Sequence, residues 1–97
     1  MRYEIILAPQ AENDLATLKA NVRSAVRDAI EAHLRHEPTK ISKSRIKRLR
    51  GLAQPQYRLR VGDVRVFYDV LETDVEILAI VKKADADEWL RKAGKAQ

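Results

Sequence analysis

The chain has no cysteine, and among its 97 residues are only one tryptophan, one phenylalanine, one methionine, two histidines, three glycines and three prolines. Without cysteine it can form no disulfide and use no thiolate, as nucleophile or as metal ligand, and a reducing cytoplasm suits it. His33 and His36 lie three apart with Glu37 beside them. That spacing reads as a partly exposed helical pair rather than a metal site. No glycine-rich nucleotide loop, HExxH or CxxC pattern is present. No apolar run approaches the roughly 20 residues that cross a bilayer, and the stretch after Met1 is too short for a signal peptide. What remains is one small domain, residues 1–97, expected to be cytoplasmic and to work without membrane, metal or cofactor.

Positive charge, by contrast, is plentiful and concentrated. The chain carries +5 overall, but residues 40–65 hold nine basic side chains against the single acid Asp63. That quarter is therefore +8 and the remainder −3. Such clustering favours nucleic acid or an acidic protein segment over a neutral small molecule. The candidate nucleic-acid contacts in its first half are Lys43, Arg45, Lys47, Arg48 and Arg50. Ser42 and Ser44 share this loop with no evident base nearby and receive no nucleophilic role.

The second half of the basic region has a pattern. Tyr57-Arg58-Leu59-Arg60-Val61-Gly62-Asp63-Val64-Arg65-Val66-Phe67-Tyr68 alternates apolar and other residues on either side of Gly-Asp. This predicts a β-hairpin with a type II′ turn, glycine supplying its first position. Alternation then puts Tyr57, Leu59, Val61, Val64, Val66 and Tyr68 on one face and Arg58, Arg60, Arg65 and Phe67 on the other. Arg60 and Arg65 fall opposite each other, a like-charge pair that is destabilising without an anionic partner. The hairpin reads as a phosphate-binding platform, with Phe67 available either to stack a base or to pack beneath the arginines.

Around the hairpin, residues 2–7 read as a first strand and Pro9 as the start of a helix. Leu15, Leu18 and Val22, then Val26, Ile30 and Leu34, recur at helical spacing, with Asn21 as the break and Pro38 as the stop. Residues 39–52 read as a polar loop. Residues 75–81 form an apolar run typical of a strand covered on both faces. Asp85 and Glu88 have the spacing of a capping box ahead of Trp89 and Leu90, and residues 93–97 read as a fraying tail. The order is β-α-α-β-β-β-α: an α+β domain with an antiparallel sheet, the helices packed on one side of it.

A guanidinium offers two parallel hydrogen bonds to a phosphate but stays protonated near neutrality, so Arg58, Arg60 and Arg65 can hold and stabilise charge rather than abstract a proton. Lys82 or Lys83, at the end of the last strand, are the candidates for a titrating partner.

In these segments the chain resembles the RelE/ParE superfamily of small toxins from type II toxin–antitoxin operons. The likeness lies in the opening strand with Ala8-Pro9-Gln10-Ala11-Glu12-Asn13-Asp14-Leu15, in Arg48-Leu49-Arg50-Gly51-Leu52, in both hairpin strands and in Ile77-Leu78-Ala79-Ile80-Val81. It implies a microbial-RNase-like α+β fold and an acidic antitoxin as partner in a hetero-oligomer, with operator DNA reached only through that complex. RelE-like members cleave messenger RNA in the ribosomal A site, and Arg58, Arg60 and Arg65 match the positions that act on the scissile phosphate. Two further family positions, an arginine after the last strand and a tyrosine in the C-terminal segment, are occupied here by Ala84 and Leu90. The resemblance therefore leaves three readings open: a ribosome-dependent endoribonuclease, a ParE-like inhibitor of DNA gyrase, or a catalytically decayed homologue that binds its antitoxin.

Overall fold

The computed structural model describes residues 1–97. Strand β1 (Glu4–Leu7) is followed by helices α1 (Pro9–Thr17) and α2 (Ala20–Leu34). Short strands β2 (Ile46–Arg48) and β3 (Leu52–Gln54) then lead into the hairpin of β4 (Tyr57–Val61) and β5 (Val64–Val70). Strand β6 (Asp74–Lys82), helix α3 (Lys83–Ala93) and a two-residue β7 (Lys95–Ala96) complete the chain. The α+β class expected from the sequence is the one observed.

The main sheet has the order β1-β6-β5-β4-β2. Every pairing in it is antiparallel except β1 with β6, which is parallel, so the sheet is mixed. Most of the chain separates those two strands, a connection long enough to permit a parallel neighbour. Helices α1 and α2 cover one face through Ala11, Leu15, Val26, Ile30 and Leu34, which pack with Leu59, Val66, Tyr68, Val75 and Ile77 in one core. Each of these larger apolar side chains contributes roughly 1.5–3 kcal/mol on full burial.

Several boundaries differ from the sequence reading. The helical hairpin breaks at Leu18 and Lys19, both extended, rather than at Asn21, which sits in the first turn of α2. The stripe Leu15, Leu18, Val22 thus spans the turn between two helices, and all three residues still reach the core. Helix α3 begins at Lys83, two residues ahead of the expected Asp85 cap, and no side chain caps it. Residues 95–96 do not fray: they pair with Leu52 and Gln54.

Two details place the functional face. Helix α3 packs on the sheet face opposite α1 and α2, its Trp89 stacked on Phe67 with ring centroids 4.9 Å apart. The expectation that all helices share one side is corrected accordingly, whereas the expectation that residues 75–81 are covered on both faces stands. The second detail is a bulge. Phe67 pairs with Ala79 and Tyr68 with Ile77, leaving Leu78 as an extra residue in β6. A one-residue insertion reverses which side chains face the core from that point on. Val75 and Ile77 face it before the bulge and Ile80 after it. Beyond the end of β1, the Asp14 carboxylate of α1 accepts the Ile80 N–H at 2.9 Å, standing in for a neighbouring strand.

Candidate nucleic-acid interface

The β4–β5 register is the one the alternation predicts: Val61 opposite Val64, Arg60 opposite Arg65, Leu59 opposite Val66, Arg58 opposite Phe67. Gly62 has φ +56°, a left-handed conformation that glycine adopts without strain, and Asp63 is not in that region. This backbone suits the type II′ turn. Strand β2 extends the same face, with Lys47 opposite Arg58 and Arg48 opposite Tyr57. One surface therefore collects Lys47, Arg58, Arg60 and Arg65, with the Phe67–Trp89 stack as its border.

These cations differ in their surroundings. Arg60 is exposed. Arg65 is only 7% exposed, and its Nη1 donates to the carbonyls of Gly62 and Val64 at 2.9 and 3.1 Å, bracing the turn. Arg58 is half-buried, and its Nε is buried without any hydrogen-bond partner. Burial first, then the charges of Arg65 and Arg60, holds the Arg58 guanidinium below its ordinary pKa. None of the four ion pairs in the molecule involves this face. Desolvated like charges with an unsatisfied donor are costly alone and are relieved by an anion.

Other sequence candidates lie elsewhere. Phe67 is fully buried under Trp89, so in this conformation it packs and offers no face to a base. The register turns Arg48 to the helix side, where it lies over the Tyr57 ring at 5.2 Å and donates to the Gln56 carbonyl at 2.7 Å. The Tyr57 ring, stacked on Tyr68, supplies the π surface it lies over. Lys43 and Arg50 are exposed in the loops flanking β2. Lys83 is exposed at the start of α3, and its N–H donates to the Asp63 carbonyl at 2.9 Å. Lys82 pairs with Val64 and lines a groove with Leu18 and Val22, on the side away from the arginines. The Leu78 bulge is the reason: without it, Lys82 would fall on the arginine face.

Arg45 and Ser44 lie at the hairpin tip, where they line a notch with Arg60 and Gly62 on one side and a hollow with His33 and Glu37 on the other. Ser44 carried no functional signal in the sequence. Its one pointer is the spacing of Arg45 and Lys47 around the core residue Ile46, a short strand pattern obscured by the inward Arg48. On the far side, Tyr68 donates its hydroxyl to the Pro38 carbonyl at 2.7 Å, and burial pushes its phenol well above the ordinary range, so it serves the core.

The fold has solved counterparts. The chain is similar to the toxin–antitoxin complex RelBE2 of Mycobacterium tuberculosis at 25% identity, with a TM-score of 0.69, covering 84% of this chain and 99% of that one. It is similar to the RelE–RelB complex of Pyrococcus horikoshii at 27% identity and a TM-score of 0.64, covering 86% and 97%. A double-arginine mutant of Escherichia coli RelE in the free state aligns over 96% of this chain and 95% of that one, at 23% identity and a TM-score of 0.71, and shares the fold. No curated protein sequence matches the chain significantly. Residues 5–86 match the family model of the ParE toxin of the type II toxin–antitoxin system parDE, and the chain belongs to that family, within the RelE/ParE superfamily of toxins.

Proposed function

We propose that this toxin grips RNA through Lys47, Arg58, Arg60 and Arg65 and inhibits translation by cleaving messenger RNA on the ribosome, in the cytoplasm, until an acidic antitoxin occludes the same face. The observation that carries this reading is the unpaired cationic face itself, with Arg58 Nε buried and lacking a partner. In such a cleavage the 2′-hydroxyl oxygen gives its proton to water and attacks the adjacent phosphorus to form a 2′,3′-cyclic phosphate. The bond to the 5′ oxygen breaks and that oxygen takes up a proton from water. Charge builds on the phosphate oxygens, where guanidinium forks are most effective. Arginine remains protonated at neutral pH. The protein's contribution is therefore positioning and charge stabilisation, and in-line geometry comes from the ribosome-bound message.

A second reading has its own support. The matching family model is that of ParE, and ParE-like relatives poison DNA gyrase by binding, which needs no acid or base. The bulge removes Lys82 from the arginine face, leaving arginines and Lys47 there. Primer extension after brief induction separates the two. Cuts within translated frames that require ribosomes and vanish in Arg60→Gln support the nuclease. Intact messages with gyrase-dependent DNA breaks overturn it in favour of the gyrase reading.

A further inference from the structure

The notch at the hairpin tip is a built feature distinct from the centre of the arginine face. It is a half-open hollow of about 230 Å³ lined by Ser44, Arg45, Arg60 and Gly62, none of them apolar. A polar hollow of this size, open to solvent, admits a phosphate group together with water. Its two walls are fixed to each other, because the Arg60 N–H donates to the Arg45 carbonyl at 2.8 Å. The loop wall is held in turn by Ser42, whose Oγ accepts the N–H groups of Arg45 and Ile46 at 3.0 and 3.1 Å. Arg45 and Arg60 are exposed and take part in no ion pair. At Gly62 an added Cβ would meet nothing within 4 Å, so the backbone there lies open to an approaching group.

The notch also has a useful spacing. Arg58 and Arg60 point to the same face two residues apart, which is about 7 Å along a strand. One nucleotide step of an extended single strand covers a similar span. We infer that the notch is a second phosphate subsite: the Ser44 hydroxyl and the Arg45 and Arg60 guanidiniums take the phosphodiester next to the one held by Arg58 and Lys47. The ligand class is single-stranded RNA presenting two successive phosphates, a choice of strand that rests on the nuclease reading above. Inorganic phosphate offers the same oxygens, but one ion cannot fill both places.

The test is an amide NMR titration of the full chain with three probes: inorganic phosphate, UpU with one phosphodiester, and UpUpU with two. UpUpU is expected to shift the amides of Ser44, Arg45 and Gly62 together with those of β4, and to bind about tenfold tighter than UpU. Arg45→Gln should erase that advantage and reduce the slope of log affinity against log salt by about 0.7, the value for one phosphate contact on a single strand. Ser44→Ala should weaken UpUpU several-fold and leave UpU unchanged. The inference is overturned if the notch amides stay still while those of β4 move, if no RNA fragment binds, or if inorganic phosphate saturates the notch and the second phosphodiester adds nothing. Tight UpUpU binding without cleavage on ribosomes would retain the subsite and sink the nuclease reading. Undiminished ribosomal cleavage by Arg45→Gln would do the reverse.

Discussion

Arg58, Arg60 and Arg65 share one face, yet what holds each of them differs, and so do the consequences of removing them. Arg60 is exposed and its guanidinium is in no ion pair, so Arg60→Gln should change the unfolding free energy by no more than an ordinary surface substitution does, about 0.5 kcal/mol. Its RNA affinity should still fall about tenfold or more, the worth of a charge-assisted hydrogen bond. Arg65→Ala should lower stability as well, by about 1–3 kcal/mol, since the guanidinium is buried and braces the turn carbonyls. Denaturant melts run beside binding curves separate the two effects; equal melts for the variants would show that Arg65 does not brace the turn. His33 supplies a pH dependence. Burial, then the Arg45 charge, lowers its pKa in the fold from an ordinary value near 6.5. The unfolded chain therefore binds the proton first as pH falls. His33 should be neutral in its effect above about pH 6.5, and stability should drop as pH falls from there through the lower folded value. Melting curves between pH 7.5 and 5 should flatten in His33→Gln; an unchanged profile would assign the acid sensitivity to another group.

At the level of elements, α3 is lightly held. Ala86 is its only buried residue, and its anchor is the Trp89 ring on Phe67. Trp89→Ala should speed hydrogen exchange along α3 while the amides of β5 remain protected, because the stack is worth only about 0.5–1.5 kcal/mol beyond its burial. Phe67→Ala removes a fully buried side chain from the central sheet and should cost about 3–5 kcal/mol globally. Equal exchange rates throughout the Trp89→Ala chain would show that α3 and the sheet open as one unit. The Phe67 position illustrates how far patterning reaches. Alternation assigned Phe67 to the arginine face, as observed, but could not say that a helix from the end of the chain covers it. The same limit applied to Lys82, whose face depends on an extra residue in β6 that the apolar run around Leu78 does not disclose.

Taken whole, the charge asymmetry of the sequence becomes a division between faces. Of the nine basic residues in the 40–65 segment, Lys47, Arg58, Arg60 and Arg65 converge with Arg45 at the tip, while Arg48 is committed to Tyr57 on the helix side. Three or four phosphate contacts predict a single-strand affinity whose logarithm falls with log salt at a slope of about −2 to −3. Fluorescence titrations of a labelled RNA across ionic strength check this, and a slope near zero would mean that the face does not bind phosphate. The scale of the slope also distinguishes a compact grip on a few phosphates from diffuse attraction to the entire basic segment, which would give a much steeper one.

The sequence by itself determined the hairpin, its register and its turn, because strand alternation and a glycine conformation are local and leave few alternatives. It determined the helical stripes and the concentration of positive charge for the same reason. Tertiary structure decided which side of the sheet α3 covers, that β1 joins β6 in parallel, that residues 95–96 pair with β3, and that Lys82 leaves the arginines while Ser44 and Arg45 join them. Each of those outcomes depends on contacts between residues far apart in the chain, or on a single-residue slip in a ladder. Local propensity carries no information about either.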